Sequence, residues 1–369
     1  MLEARWRTAG LRVPRAAIAS AVLVVGAGGL VALAAALGGH DPARALAALW
    51  RGSLGSQYAV FSATLVRATP LILTGLAVAL AFTAGVMNIG AEGQLLVGGA
   101  AATAIGLAFG ESLGWLVIPC ALGGGAVAGA AWAGVPGWLR RRFGVLEVIS
   151  TIMMNFVALY LVGYLVRGPL QEPLRIYPQS APIPDAAMLP LLGRTRLHVG
   201  FALALLCAVG TWWALRATAA GFRVRVVGAS PEAAHSAGLI DVRGTTFRAF
   251  LVSGGLAGLA GAVEVTGVTY SLYENLSPGY GYTAIAVALV GQLNPLLTAL
   301  SGIFFGALEA GAAAMQRDAG VPSVLATIVE ASLILLVLAA SVNRVGVFRR
   351  RSHGMAALRV THPDMGDRR

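Results

Sequence analysis

Residues 87 to 99 read Met87-Asn88-Ile89-Gly90-Ala91-Glu92-Gly93-Gln94-Leu95-Leu96-Val97-Gly98-Gly99. The run places two amides and a carboxylate between two long apolar stretches, where polar groups need partners or a function. The whole chain is 57% hydrophobic and only 12% charged, and its mean hydropathy is +0.77. These values lie far from those of soluble domains. The sequence therefore predicts an all-α, polytopic membrane protein.

Ten apolar runs are candidates for helices that cross a hydrocarbon core, which takes about 20 residues. They lie at 16–38, 66–87, 92–109, 114–138, 145–166, 199–217, 248–269, 281–293, 295–316 and 321–341. The run at 281–293 is short, so whether it is a full span stays open. We expect about ten transmembrane helices within one membrane domain, residues 16–342.

Arginines orient these spans, because short cytoplasmic loops accumulate basic residues. The sequence contains no lysine, and a cytoplasmic N-terminus places 19 of its 27 arginines on the inner side. Both termini are then cytoplasmic: residues 1–15 form the N-terminal segment and residues 343–369 a disordered tail. The long loop 167–198 is expected outside, and the loop 218–247 inside. This pattern is typical of a multi-pass membrane protein.

Several chemistries are excluded by residue types. The arginines occur in short clusters beside apolar spans, as orientation signals do, so nucleic acid is not an expected partner despite the net charge of +11. A P-loop requires a lysine on the phosphates, and none is present. The five histidines show no metal-ligand spacing. We expect no metal, no cofactor bound by this chain and no enzymatic activity.

Polar residues inside the predicted spans are candidates for a solute pathway, because a charge at mid-bilayer usually faces a cavity or a partner. Glu309 and Glu330 stand at similar depth and could share one polar cavity, or each could be bound by a neighbouring helix. Asn155 lies in the middle of its span. Glu147 and Glu264 lie nearer helix ends and are expected to reach the interface.

The opening run has a local explanation. Asn88 can cap a helix that starts at residue 91, and Glu92 in the first turn suits the positive end of the helix dipole. The predicted topology places the run at the inner ends of the second and third spans. It is therefore interpreted as a cytoplasmic-side hinge or gate.

The inner loop contains a second signature. Ser230 is a good N-cap, Pro231 suits the first helical position, and Gly238 ends the segment. A helix of one to two turns is therefore predicted to project into the cytoplasm. An ordinary amphipathic connector and a docking element for a cytoplasmic partner both fit.

Four blocks of sequence together resemble one family. They are Phe82-Thr83-Ala84-Gly85-Val86-Met87-Asn88-Ile89-Gly90-Ala91-Glu92-Gly93-Gln94, Glu147-Val148-Ile149-Ser150-Thr151-Ile152-Met153-Met154-Asn155, Gly228-Ala229-Ser230-Pro231-Glu232-Ala233-Ala234-His235-Ser236-Ala237-Gly238 and Ile285-Ala286-Val287-Ala288-Leu289-Val290-Gly291-Gln292-Leu293-Asn294-Pro295. The chain is similar to permease subunits of ABC importers for nucleosides and simple sugars, in the branch served by basic-membrane-lipoprotein-type binding proteins. This branch lies close to the branched-chain amino acid and ribose permeases.

The resemblance implies a division of labour among subunits. A second permease, a cytoplasmic ATPase that binds ATP and an extracytoplasmic binding lipoprotein would be the partners, together with membrane lipid. The coupling residues would be Arg223, Arg225, Gly228, Ser230, Pro231, Glu232, Ala234 and Gly238, within a coupling helix at 229–239. The gate or pathway residues would be Asn88, Gly90, Glu92, Gln94, Asn155, Gln292, Asn294, Glu309 and Glu330.

Other functions remain open at this stage. The resemblance favours a nucleoside as the solute, with a simple sugar as the alternative. A proton-coupled secondary transporter would use Glu309 and Glu330 as relay groups, and a channel would use the opening run as a filter. Neither of these two classes gives a reason for the helix in the inner loop.

Overall fold

The structure is a computed structural model that describes residues 15–236, 238, 240–322, 324, 328, 331 and 332. Within these residues the regular elements are helices, and no strand is formed beyond isolated bridges. The predicted tail 343–369 and nearly all of the predicted span 321–341 lie outside the described residues, and so do Ala237 and residue 239 of the predicted coupling helix. The all-α prediction is confirmed for the described part of the chain.

Thirteen α-helices are formed by the described residues. They are α1 Arg15–Leu37, α2 Pro42–Ser53, α3 Gln57–Ala59, α4 Leu65–Thr83, α5 Ala91–Leu113, α6 Val117–Phe143, α7 Glu147–Arg167, α8 Gly200–Ala217, α9 Ala219–Ala229, α10 Pro231–Ser236, α11 Val242–Glu264, α12 Tyr280–Val290 and α13 Pro295–Ala319. A π-helical turn at Val60–Thr64 precedes α4, and another at Val265–Thr269 follows α11.

Six helical runs of the described chain are long and apolar enough to cross a membrane. One of them, Ala91–Phe143, contains both α5 and α6, which fold back on each other: a Cβ atom at Gly124 of α6 would overlap Ile105 of α5. The short predicted run 281–293 is α12, which has 11 residues and is therefore only about 16 Å long. The number of ten spans and the cytoplasmic termini stay predictions.

The chain divides into two units. The smaller contains Met1–Leu46 and Ala319–Arg369, and the larger is Ala47–Asp318. In the smaller unit, Asp41 caps the start of α2 by accepting a hydrogen bond from the N–H of Ala43 over 2.9 Å. All the features described below belong to the larger unit.

Close contact between α5, α6 and α11 depends on glycine. Gly98 of α5, Gly125 and Gly129 of α6, and Gly254 and Gly258 of α11 meet where the three helices cross, and a Cβ atom at any of them would overlap a neighbouring backbone. Helices in a membrane lack a hydrophobic force between them, so small residues allow the close approach that stabilises their packing. The two glycines on α6, and likewise the two on α11, are four residues apart, which places both members of each pair on one face of their helix.

Candidate functional site: a polar hub linked to a loop helix

Two amides and a hydroxyl join the opening run to α11 and α4. Asn88 Nδ2 donates to Gln94 Oε1 over 2.9 Å, and Gln94 Nε2 donates to Asn88 Oδ1 over 3.0 Å. Asn88 Nδ2 also donates to Ser253 Oγ over 2.8 Å, and the Ser253 hydroxyl donates to the carbonyl of Ala77 over 2.7 Å. These polar side chains are fully buried. Because a buried polar group without a partner is costly, the bonds fix residues 84–90 between the two helices.

A side chain from α7 caps the N-terminus of α5. Asn155 Oδ1 accepts a hydrogen bond from the N–H of Gly93 over 2.9 Å, and Asn155 Nδ2 donates to the carbonyl of Ile89 over 2.9 Å. The first N–H groups of a helix have no partner within the helix, so Asn155 supplies one from outside. Gly93 permits the approach, since a Cβ atom there would lie 3.0 Å from Asn155 Cα.

The carboxylate of Glu92 joins two helix N-termini. Glu92 lies in the first turn of α5, and its Oε2 accepts a hydrogen bond from the N–H of Gly281 in the first turn of α12 over 2.7 Å. A Cβ atom at Gly281 would overlap the backbone of Glu92, so only glycine allows the two turns to touch. A carboxylate is stabilised where the positive ends of helix dipoles meet. We call the group formed by Asn88, Glu92, Gln94, Asn155 and Ser253 the polar hub.

The hub differs from the prediction in capping. The opening run lies where α4 ends and α5 begins, as predicted, and it contacts Asn155 and Ser253 near the middle of α7 and α11. The N-cap of α5 is Gly90, without a side-chain cap, and Asn88 Oδ1 accepts from the N–H of Gly90 instead. Asn88 is held by Gln94 and Ser253, and these partners outweigh the local cap that the sequence suggests.

The other predicted pathway residues are dispersed. Gln292 is exposed with a positive φ of 53°, and Asn294 Oδ1 accepts from the N–H of Leu296 over 3.1 Å, so both shape the turn between α12 and α13. Glu309 lies on α13, half-buried, and Glu330 lies outside the described residues. The predicted cavity shared by Glu309 and Glu330 therefore stays a prediction.

A charged cluster surrounds the phenol of Tyr280. Arg67, Glu92, Glu264 and Glu309 are all close enough to interact with it electrostatically. Glu264 is only 5% exposed. It therefore does not reach the interface as predicted, because residues of other helices, including Tyr280 at the start of α12, lie close to it. By contrast, Glu147 at the start of α7 forms an ion pair with Arg140, with 3.0 Å between Nη1 and Oε1.

The helix predicted in the inner loop is formed as α10, Pro231–Ser236. Ser230 Oγ accepts a hydrogen bond from the N–H of Ala233 over 3.2 Å, which makes Ser230 the N-cap. Gly238 has a positive φ of 69°, as expected where a helix ends. Ala234 is fully buried, whereas Glu232 is exposed. Thus one face of α10 is seated on the protein and the other is free.

Gly228 connects this loop to the hub. It lies against the end of α4, where a Cβ atom on Gly228 would overlap the carbonyl of Thr83. A Cβ atom on Gly85 would in turn lie 3.2 Å from Gly228 Cα. Only Val86 and Met87 separate Gly85 from Asn88, so Gly228 contacts the chain close to the start of the hub. Arg223 and Arg225 are exposed on α9, the helix that leads to Gly228.

Comparison with known proteins identifies the architecture. The family model described as branched-chain amino acid transport system / permease component matches residues 60–338. The chain is 38% identical to the glucose ABC transporter permease protein TsgB13 of Haloferax volcanii over 91% of this chain and 90% of that protein. It is 39% identical to the guanosine ABC transporter permease protein NupP of Bacillus subtilis, over 90% of this chain and 94% of NupP. No solved structure matches the chain.

The chain belongs to this permease family. A third relative, the nucleoside ABC transporter permease protein NupB of Lactococcus lactis, is 30% identical over 81% of the permease and 84% of NupB. The permease is thus a multi-pass membrane protein. The relatives to which it is similar are transporter subunits and not enzymes. Within its described part, no group of three His, Cys, Asp or Glu side chains is arranged to hold a metal ion.

The loop 167–198 of the permease, which is predicted to lie outside, is tied to the segment between α11 and α12. Arg167 donates two hydrogen bonds to the carboxylate of Glu274, over 2.9 and 2.6 Å. Ser180 and Leu272 also bond to each other, since the N–H of Ser180 donates to the carbonyl of Leu272 over 2.9 Å and the N–H of Leu272 donates to Ser180 Oγ over 2.9 Å. Within the loop, the Gln179 amide and then the Tyr177 N–H hold the pKa of Glu172 below its usual value.

The last residue of this loop, His198, is completely buried in the permease. Gly200 and Gly267 make room for its ring, because a Cβ atom at either would lie within 3.0 Å of it. Neither ring nitrogen has a hydrogen-bond partner among the described residues. Burial therefore lowers the pKa of His198 to about 4.

Sequence reasoning missed several members of these groups. Ser253 is a single hydroxyl residue in a glycine-rich apolar helix, so its sequence context gives no sign of a polar partner. Gly281 lies near the start of a helix, where a glycine is common. Arg67 and Tyr280 can be recognised as site residues only when the fold places them near the carboxylates of other helices. One available signal was the pair of basic and acidic residues, Arg67 and Glu264, both inside apolar runs.

Proposed function

We propose that the permease is the membrane-spanning subunit of an ATP-driven importer and forms half of the translocation pathway for a nucleoside. The observation that carries this proposal is the contact of Gly228 with Thr83 and Gly85, which links the capped helix α10 to the polar hub. A movement of α10 thereby has a direct mechanical route to the centre of the bundle. The names of NupP and NupB support the solute class.

In this proposal α10 is the coupling helix, and a cytoplasmic ATPase contacts its exposed face. Glu232, Arg223 and Arg225 are exposed and available for ion pairs across such an interface. Buried Ala234 and capped Ser230 hold the helix on the permease, so that it moves as one body with α9. ATP can shift the permease only if the ATP-bound ATPase prefers one of its states, and these contacts are where that preference would act.

The polar hub would act as the gate. Residues 84–90 are non-helical and are held by hydrogen bonds from three helices, through Gln94 on α5, Asn155 on α7 and Ser253 on α11. Such a segment can exchange one set of partners for another without unfolding a helix. Glu92 and Glu309 would face the solute together with Tyr280, which lies near both.

The remaining partners follow from the same proposal. A second permease would complete the pathway, and an extracytoplasmic binding lipoprotein would deliver the solute. The outer loop is the proposed docking surface for that lipoprotein, because it is anchored by Arg167 and yet exposes Leu174, Ile176 and Tyr177. An ordered surface with exposed apolar side chains is suited to binding another protein.

A simple sugar is the second candidate solute, since the similarity to TsgB13 is as extensive as that to NupP. A nucleoside and a sugar share a ring with hydroxyl groups, for which carboxylates and a phenol are suitable hydrogen-bonding partners. Only the nucleoside also carries a base. Competition between them is therefore the informative measurement.

The experiment uses the complete importer in proteoliposomes, with the ATPase, second permease and lipoprotein. Uptake of labelled guanosine that requires ATP, resists an uncoupler and is not inhibited by excess glucose is the expected result. Inhibition by glucose and transport of glucose itself would assign a sugar. Uptake without ATP that an uncoupler abolishes, and that Glu309→Gln removes, would overturn the ABC proposal in favour of a proton-coupled transporter.

A further inference from the structure

A basic cavity lies beside the coupling helix. Its volume is about 600 Å³, and it is bounded by the end of α6, the start of α7, the junction of α9 and α10, and the start of α11. Four arginines line it: Arg140, Arg141, Arg142 and Arg243. The single carboxylate in the lining is that of Glu147.

Most of this positive charge is not neutralised within the described structure. Glu147 pairs with Arg140, and the other ion pairs formed by the described residues do not include Arg141, Arg142 or Arg243. Arg141 lies over the ring of Phe247 with 5.8 Å to its centre, which orients that guanidinium at the cavity. Several arginines around one carboxylate select an anion, and guanidinium groups bind phosphate oxygens well.

The rim of the cavity includes two exposed apolar residues of its lining, Phe143 and Leu146. Trp138 and Phe143 at the end of α6 are 52% and 63% exposed, and their rings pack edge to face at 5.4 Å. Leu146 and Ile149 at the start of α7 are 65% and 56% exposed. Aromatic side chains next to arginines at the ends of membrane helices are typical of the level of lipid headgroups. A soluble anion would not need this apolar rim, whereas an acyl chain would lie along it.

We propose that this cavity binds the phosphate headgroup of an anionic phospholipid of the inner leaflet. The phosphate would be held by Arg141, Arg142 and Arg243, and the acyl chains would run along the start of α7. Basic pockets between helices on the cytoplasmic side are suited to such headgroups. This inference rests on the proposed topology and on the proposed coupling role of α10, and it does not depend on which solute the permease transports.

The position of the cavity gives the lipid a regulatory role. Val227 and Pro231 line the cavity from the side of the coupling helix, and Ala84 and Gly85 line it from the side of the hub. A bound headgroup therefore contacts both ends of the connection made by Gly228. The lipid would hold α10 in its seated position and raise the fraction of ATP hydrolysis that drives transport.

Lipid binding is tested first, by native mass spectrometry of the complete importer exchanged into detergent with phosphatidylglycerol or phosphatidylcholine. We expect selective retention of phosphatidylglycerol, and a loss of affinity of about fivefold for each of Arg141→Gln and Arg243→Gln. Arg194→Gln removes the same charge from the outer loop and should leave retention unchanged. Equal retention of both lipids, or equal loss in the Arg194 variant, would overturn the proposal.

Transport is the second readout. In proteoliposomes of phosphatidylcholine, adding phosphatidylglycerol should raise uptake per ATP hydrolysed for the unaltered importer and much less for the Arg141→Gln, Arg243→Gln double variant. If soluble inorganic phosphate or a nucleoside monophosphate displaces the lipid at millimolar concentration and reproduces its effect, the cavity is a soluble-anion site and the lipid assignment fails. If the isolated permease retains phosphatidylglycerol but the assembled importer does not, the ATPase occupies the cavity and the assignment fails as well.

Discussion

Glu92 and Gly281 join two helices that are far apart in the sequence. The carboxylate of Glu92, in the first turn of α5, accepts a hydrogen bond over 2.7 Å from the N–H of Gly281, in the first turn of α12. The two helix ends touch because residue 281 has no side chain. The proposed gate therefore depends on two helix starts that cannot separate without losing this bond.

Replacing Gly281 tests this contact directly. Gly281→Ala would drive a methyl group into the backbone of Glu92, and overpacking of this kind costs about 1 to 3 kcal/mol. We expect correctly inserted protein with strongly reduced ATP-driven uptake. Gly210→Ala is the matched control, because a Cβ atom at that position on α8 meets nothing within 4 Å. Equal uptake by the two variants would contradict the prediction.

Asn155 caps the N-terminus of α5, and a leucine of similar size can replace it and remove the cap. Asn155→Leu leaves the N–H of Gly93 and the carbonyl of Ile89 without their partners, which we expect to lower the free energy of unfolding by about 2 kcal/mol. Unfolding in mixed micelles at increasing denaturing detergent measures the change. Met153→Leu, at an exposed position of the same helix, should leave stability unaltered. A stable Asn155 variant would show that the cap is dispensable.

Ala234 distinguishes the two faces of α10. It is fully buried, so Ala234→Arg should unseat the helix and abolish ATP-driven uptake in proteoliposomes while the permease still inserts. ATP hydrolysis that continues without transport would be the sign of lost coupling. Ala220→Arg makes the same change at an exposed position of α9 and should transport normally. Undiminished uptake by the Ala234 variant would remove α10 from the coupling pathway.

His198 predicts a dependence of stability on pH. Burial lowers its folded pKa to about 4, below the value of about 6.5 in an unfolded chain, so the unfolded state binds more protons between these values. The stability that the neutral ring contributes is complete above pH 6.5 and is lost as the pH falls towards 4. The loss is on the order of 3 kcal/mol.

Thermal unfolding of the purified permease at pH 7.5 and pH 4.5 measures this loss. His198→Leu should flatten the difference between the two pH values, because it removes the group that takes up the proton. His40→Leu, in the smaller unit, serves as the control and should keep the dependence of the unaltered protein. Identical pH profiles for all three proteins would show that another group is responsible.

The sequence predicts features whose causes are local, and it fails where partners are distant. Helix α10 was predicted with its cap at Ser230 and its end near Gly238, since the determining residues lie within nine positions. The bond between Asn88 and Ser253 was not predicted, because the two residues are 165 positions apart. Distant neighbours also explain why Glu264 was wrongly expected at the interface. A local cap was the structural explanation that the sequence offered for Asn88, and it was incomplete.

The separation between Glu92 and Gly281 also has a consequence for biosynthesis. The two residues are 189 positions apart, and at about 5 to 20 residues per second the ribosome needs about 10 to 40 s to add the second after the first. Ser253 and Gly281 are both absent while α4 and α5 enter the bilayer, so Asn88 and Glu92 wait without their final partners. Until α12 has been made, Glu92 lacks the N–H of Gly281 as its hydrogen-bond donor, and a buried carboxylate without a partner is costly. The bond between Glu92 and Gly281 therefore forms only after a short helix has been made late in synthesis.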